Sequence, residues 1–203
     1  MVRESSDDTA DANERLADAP VLPSQCRDLS AFEHLVRSYQ PYAYALAMKF
    51  LCDEQEAADV VQETFIRIWN NLHRYDPNRK FTTWMYAIVS NLCVDRFRVL
   101  RRTRWLFQSE DSDQLFDDLP DERNWEALHS QQELAAIIRT LAGRLSRAQR
   151  LVFTLRDLHD LPVDEVVTIT GMSAGSVKTN LHYARKTIRN ILIRQYGVTR
   201  EDV

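Results

Sequence analysis

The sequence predicts an all-α protein: two small helical domains joined by an acidic flexible linker, the C-terminal one built on a helix-turn-helix. Three observations carry that prediction. Apolar residues recur at helical spacing through two separate stretches. The chain of 203 residues holds only four glycines, too few for a turn-dense β architecture or for Gly-rich phosphate loops. Its net charge of −4 is spread unevenly, with the acids gathered between and before the patterned stretches.

Residues 1–28 hold three basic and seven acidic residues, and residues 103–130 hold two and eight. Residues 29–102 hold ten basic and eight acidic, and residues 131–203 hold eleven and seven. The expected organisation comes from these shifts. Residues 1–28 form a disordered acidic tail, too poor in large apolar groups to offset their own ordering entropy. Residues 29–102 and 131–203 form the two mildly basic helical domains, and 103–130 the linker. Leu115, Phe116, Leu119 and Trp125 lie in that linker. They fit a segment that docks and a plain tether about equally.

Several function classes fall away. No apolar run approaches the ~20 residues that span a bilayer. The N-terminus lacks an apolar h-region, so no secretory signal is expected. Cys26, Cys52 and Cys93 are isolated and fit neither a disulfide framework nor a paired-cysteine metal site. A reducing cytoplasm is the expected compartment. His34, His73, His129, His159 and His182 have no metal-ligand spacing. With no nucleophile triad or P-loop signature either, the sequence predicts no enzyme, no metal and no cofactor.

In the first domain, Phe32, Leu35, Val36, Tyr39, Tyr42, Ala43, Leu46 and Phe50 have helical spacing, expected to be interrupted near Pro41. A second helix comes after Asp53, its candidate cap, with Glu54 and Glu56 at the positive end of the dipole. Ala57, Val60, Val61, Thr64, Phe65, Ile68 and Trp69 form its apolar stripe. Asp59, Gln62, Glu63 and Ile66 lie opposite. That face reads either as a docking surface for a basic helix or as one isolated exposed apolar residue among polar neighbours.

A polar loop with Tyr75 and Phe81 at its ends leads into a third helix, expected from about Thr82 to Arg102. Phe81, Trp84, Met85, Ile88 and Leu92 are its expected core stripe. Asn91, Asp95, Arg98 and Arg102 share a separate seam that runs into a basic stretch. An amide between aromatics and arginines suits an unstacked base on a strand held by its phosphates. A polar network with solvated arginines fits the same spacing.

In the second domain, LAGRLSRAQRLVFTLRDLH predicts two amphipathic helices. Pro162, Asp164 and Glu165 suit the start of a short helix whose Val163, Val166 and Val167 face inward. Gly171 closes it, and Ser173 caps the next. There Val177, Leu181, Ala184 and Ile188 face inward. The outward side shows Ser176, Lys178, Thr179, Asn180, His182, Tyr183, Arg185 and Lys186, with no acid between Ser173 and Arg194. Such a pair of helices is the arrangement that enters a DNA major groove. One class of protein with this organisation is a stand-alone helix-turn-helix regulator, its first domain a sensor or dimerisation module.

Three segments in order resemble the bacterial sigma-70 factors of the extracytoplasmic-function group (group IV, the minimal two-domain form). DVVQETFIRIW at 59–69 is similar to the family's core-polymerase-binding helix. FTTWMYAIVSNLCVDRFR at 81–98 is similar to its promoter-melting segment. SAGSVKTNLHYAR at 173–185 is similar to its −35 recognition helix. The resemblance implies a cytoplasmic sigma factor that joins core RNA polymerase and directs promoter-specific initiation, with the stand-alone regulator as the alternative. Asp59, Gln62, Glu63 and Ile66 would grip the clamp helices of the β′ subunit, and the β flap would hold the second domain. Asn91 with Asn71, Tyr75 and Ile88 would hold a flipped −10 base, with Arg98, Arg101 and Arg102 on nearby backbone. Lys178, Thr179, His182 and Arg185 would contact the −35 element, and Arg156 a phosphate. The acidic linker would thread toward the polymerase cleft. An anti-sigma factor is an implied partner; membrane insertion is not. The chain departs from the family at Thr179-Asn180, Tyr183 and Pro162, so no −35 consensus carries over.

Overall fold

In a computed structural model, the structure describes residues 29–107, 141 and 143–196. The expected tail at 1–28 and most of the expected linker, with its four large apolar residues, lie outside the described residues. Those described are helical, with no strand among them. In chain order they form α1 (Leu29–Leu51), α2 (Glu54–Asn71), a 3₁₀ turn (Leu72–Arg74) and α3 (Phe81–Phe107). Further along come α4 (Arg147–Phe153), a π turn (Thr154–Leu158), α5 (Val163–Thr170) and α6 (Ala174–Tyr196).

In the first group, α1, α2 and α3 pack mutually. Leu35, Tyr39, Ala43, Leu46, Ala47 and Phe50 turn inward from α1. The helix runs unbroken through Pro41, contrary to the interruption expected there. Tyr39 and Ala43 on either side are buried, and their packing offsets a residue that costs a helix interior about 3 kcal/mol. Asp53 caps α2 as expected, its Oδ1 accepting from the Glu56 backbone N–H at 3.0 Å. The α2 stripe is buried up to Ile68. Trp69, expected inside, is 41% exposed and stands edge-on to Phe32 with ring centroids 4.7 Å apart.

α3 departs most from expectation. It continues to Phe107, past the predicted end at Arg102, because nothing in residues 103–107 breaks a helix. It also has two buried faces. Phe81, Met85 and Leu92 face α1 and α2 as predicted, while Trp84 and Ile88 are only half-buried. Tyr86, Val89, Ser90 and Cys93 are more deeply buried than expected. α5 packs against α3, and the buried side chains of both helix groups form one continuous cluster.

The second group begins with a capping box, in which Ser146 Oγ accepts from the Gln149 N–H and Gln149 Oε1 from the Ser146 N–H. Of the two amphipathic helices expected here, Leu141 and Gly143 at the end of the first are helical and most of it lies outside the described residues, while the second, α4, passes directly into the π turn. α5 and α6 form the helix-turn-helix. Gly171 closes α5 at φ 70°, a left-handed conformation that costs other residues about 1–2 kcal/mol. Ser173 Oγ accepts from the Ser176 N–H at 3.2 Å. Val177, Leu181 and Ala184 are buried beneath α6 as predicted, and Ile188 is half-buried.

Four polar links tie the groups together. Lys49 Nζ donates to the Leu158 carbonyl at 2.5 Å, and Thr83 Oγ1 to Glu165 Oε1 at 2.5 Å. Arg150 Nη2 donates to Cys52 Sγ at 3.3 Å. The His159 ring lies edge-on to Tyr86, at 5.9 Å between centroids, and is hydrogen-bonded to the Ala45 backbone. Loss of water on burial, reinforced by the Lys49 charge, pushes His159 down from 6.5 to about 4. Lys49 itself lies near Asp160, and Tyr86 near Glu165.

The docked state therefore holds His159 neutral, and separation returns it to its ordinary value. Protonation favours separation, so the docking energy is intact above pH 6.5 and declines as pH falls toward 4. Small-angle scattering is expected to give a constant radius of gyration from pH 8 to 7 and a growing one toward pH 5. His159→Asn should flatten that dependence; a flat wild-type profile contradicts it.

Candidate nucleic-acid interface

Three outward faces carry the residues singled out by sequence. The first lies on α2. Ile66 is 48% exposed, with Asp59 and Gln62 exposed and Glu63 half-buried beside it. Both acids have partners within the chain. Glu63 Oε1 accepts from Arg67 Nε at 2.8 Å, and Asp59 lies 3.6 Å from Arg96 Nη2. Arg96 is held mainly by a two-point bond to Glu56, so it ties α3 to the start of α2. Ile66 is not isolated. It forms the lip of an apolar groove of about 680 Å³ between α1 and α2, lined by Leu29, Phe32, Val36, Tyr44 and Trp69 among others. Sequence reasoning missed this groove because it needs two helices side by side, and Trp69 had been assigned to the core.

The second face is the outer seam of α3. Asn91, Asp95, Arg98 and Arg102 are all exposed along it, and Arg98 Nη1 pairs with Asp95 at 3.2 Å. The Arg101 side chain is outside those described. Trp84 and Ile88 flank Asn91, each half-buried. Tyr75 is 5% exposed, its ring 5.1 Å from Trp84 and 5.6 Å from Phe81. Its hydroxyl donates to the Arg79 carbonyl at 2.6 Å. Tyr75 thus forms a floor that props Trp84, with its polar atom already used. Asn71 turns back on its own helix, Nδ2 donating to the Arg67 carbonyl at 2.9 Å. The structure brings Tyr75 and Trp84 together beside Ile88 and Asn91, and gives Asn71 a local role.

The third face is the outer side of α6. Lys178, Thr179, His182, Tyr183, Arg185 and Lys186 are exposed. Ser176 and Asn180 are half-buried and bonded to each other along the helix. The rings of His182 and Tyr183 lie 5.5 Å apart. Arg185 is restrained, its Nε and Nη2 donating to both oxygens of Asp157 at 2.7 and 2.6 Å. Arg156 is half-buried and donates from Nη1 to the Leu161 carbonyl. Lys178 and His182 have no side-chain bond of this kind among the described residues. The face therefore presents a lysine, a hydroxyl and an imidazole, with one arginine held at its edge. That set suits phosphates and base edges in a major groove.

Comparison with known proteins places the chain in a family. The family model for sigma-70 region 2 matches residues 35–103, and that for sigma-70 region 4 matches residues 135–188. The extracytoplasmic-function RNA polymerase sigma factor SigW of Bacillus subtilis (strain 168) is 31% identical over 169 residues, spanning 81% of this chain and 90% of that protein. In structure the chain is similar to CnrH, solved with the cytosolic domain of CnrY, with a TM-score of 0.59 and 22% identity over 91% of this chain and 96% of CnrH. It is similar also to the sigma factor RpoE of Bartonella quintana, solved with the anti-sigma factor NepR. There the TM-score is 0.59 and the identity 21%, over 80% of this chain and 97% of that one.

Proposed function

Because the chain belongs to the extracytoplasmic-function sigma-70 factors and directs promoter-specific transcription, we propose that it works as a minimal, group IV member through its three outward faces. It has no chemistry of its own to perform and acts in the cytoplasm by positioning another enzyme. Among the described residues no helix is long and apolar enough to cross a membrane. The observation that carries the reading is a coincidence of order and exposure. The region 2 and region 4 matches succeed one another along the chain, and Ile66, Asn91 and Lys178 all lie exposed on helix faces.

In this reading the α1–α2 groove and Ile66 receive the β′ clamp helices of core RNA polymerase, with Asp59, Gln62 and Glu63 on the rim. The β flap holds the second helix group. Asn91 reads a −10 base swung out of the duplex, with Ile88 and Trp84 beside it and Tyr75 as the support beneath. Arg98, Arg101 and Arg102 continue the seam along the backbone, and Asn71 completes the end of α2. The energetic role of this pocket is to offset unstacking, a few kcal/mol per base. Lys178, Thr179 and His182 enter the −35 major groove, while Arg156 and Arg185 approach phosphates. The residues from 108 to 140 connect the two readers through the polymerase. An anti-sigma factor is the proposed inhibitor, in keeping with the anti-sigma factor NepR bound to the similar RpoE.

Reconstitution with core enzyme tests the reading. Promoter-specific transcripts are expected only when this protein and core are both present; specific duplex binding by the pure protein at physiological salt argues for a stand-alone regulator. Ile66→Asp should lower affinity for core at least tenfold, read by co-elution or fluorescence anisotropy, because it places a charge in an apolar contact.

Asn91→Ala should leave core binding intact and slow open-complex formation, measured by permanganate reactivity of unpaired thymines. Equal reactivity to wild type removes Asn91 from the pocket.

The ion pair at Arg185 separates two outcomes on the −35 face. Lys178→Ala should cost holoenzyme binding about 1–3 kcal/mol. Arg185→Ala should cost less, since Asp157 already holds that cation. Competition between promoter fragments measures both; the reverse order contradicts the assignment.

A further inference from the structure

We propose that Tyr183 reads a thymine of the −35 element by packing its ring on the C5-methyl group of that base; this step rests on the proposed sigma function. The roles given above to the outer side of α6 leave Tyr183 unused. Its side chain is large, aromatic and 50% exposed. Its ring meets His182 edge-on, 5.5 Å between centroids. The hydroxyl has no hydrogen bond among the described residues. The ring is therefore steered by a neighbour and left uncovered by the fold. A surface of that kind gains most from a partner that removes its water.

The outer side of α6 divides into two strips. Lys178, His182, Arg185 and Arg189 recur at i, i+4, i+7 and i+11, and they carry the basic groups. Gly175, Thr179 and Tyr183 recur at i, i+4 and i+8 and bring no positive charge. All seven residues are exposed. A Cβ added at Gly175 would meet nothing within 4 Å, so packing does not call for glycine there and the strip begins in open space. The Thr179 methyl and the Tyr183 ring continue it. Such a strip can lie against base edges without competing for phosphates.

The chemistry of the major groove decides what it reads. Every base pair presents donors and acceptors on that edge, and thymine alone adds a methyl group. An apolar strip therefore favours thymine over the other three bases. The cationic strip beside it holds the backbone and sets the depth of the helix. Tyr183 stands nine residues after the start of α6 at Ala174, ~14 Å along the axis. The first turns of a recognition helix enter the groove deepest. Reach matters more at 183, and a phenol ring supplies more of it than a serine or threonine would.

Holoenzyme assembled from the full chain and core polymerase tests the contact, on −35 elements selected from a randomised promoter library. One selected thymine should be sensitive to replacement by deoxyuridine, which lacks only the methyl group. That replacement should weaken wild-type binding about fourfold, as loss of one buried methyl implies. Tyr183→Phe should keep the loss, because the ring remains. Tyr183→Ala should bind the thymine and uracil promoters equally, with wild-type helical circular dichroism. Should Tyr183→Ala lose helicity, Tyr183→Gln decides by the same criterion. A uracil penalty of equal size in wild type and Tyr183→Ala overturns the assignment, as does wild-type binding indifferent to uracil at every position. Should core enzyme select no promoter with this chain, the sigma reading fails, and the same uracil series on duplexes selected by the free chain decides Tyr183 alone. Absence of selection in both formats overturns both.

Discussion

The molecule is organised around α3 having two buried faces and one exposed seam. Phe81, Met85 and Leu92 commit one side to α1 and α2. Tyr86, Val89 and Cys93 commit a second side, sealed well enough that burial pushes the Cys93 thiol up to about 12. What remains is the line of Asn91, Asp95, Arg98 and Arg102. A helix fixed on two sides cannot roll, so the seam points outward at a set angle. Any reading of DNA by Asn91 depends on the packing of α3 against α1 and α2, because a base pocket tolerates little displacement. Tyr75 and Trp84 extend the same logic into the loop, where the ring of one and the hydroxyl bond to Arg79 fix the other.

The second buried side of α3 also carries polar atoms without a hydrogen-bond partner among the described residues. Burying a side chain such as Tyr86 or Val89 contributes about 1.5–3 kcal/mol. Leaving Tyr86 Oη, His159 Nε2 and Arg150 Nε unpartnered costs about 1–3 kcal/mol each. The two kinds of contribution oppose each other where the helix groups meet. His159 shifts that balance through its charge. Within the first group Leu46, Ile68 and Met85 are fully buried and wholly apolar.

Much of this was legible in the sequence, and the failures share a physical cause. Helical spacing located the helices, and local chemistry fixed their ends at Asp53, Gly171 and Ser173. Those features depend on residues within one turn of each other. The outward faces of α2, α3 and α6 were legible for the same reason. Periodicity could not show which of two apolar faces a helix buries more deeply, so Tyr86 and Cys93 were passed over. It placed Trp69 in the core, because a stripe ends where its partner helix ends, and that depends on the partner. Pro41 was expected to interrupt α1, since local cost is visible in sequence and the tertiary contacts that outweigh it are not. Arg150 was one arginine among several; only its place beside the Phe50 and Phe97 rings, drawn from two distant helices, sets it apart.

Each outward face also keeps an ion pair of its own: Glu63 with Arg67, Asp95 with Arg98, Asp157 with Arg185. Exposed pairs of this kind add little to stability, about 0–1 kcal/mol. Their larger effect falls on binding. A phosphate or partner carboxylate that takes one of these arginines must displace a carboxylate already in place. Every contact then yields less net energy than a free cation would, and a single face binds weakly. Weak faces joined on one chain are selective in a way that one tight face is not. When polymerase holds both groups at the promoter spacing, the second contact forms at high effective concentration, and two modest affinities combine into a large one. In the proposed function the internal ion pairs reserve firm promoter binding for the assembled enzyme.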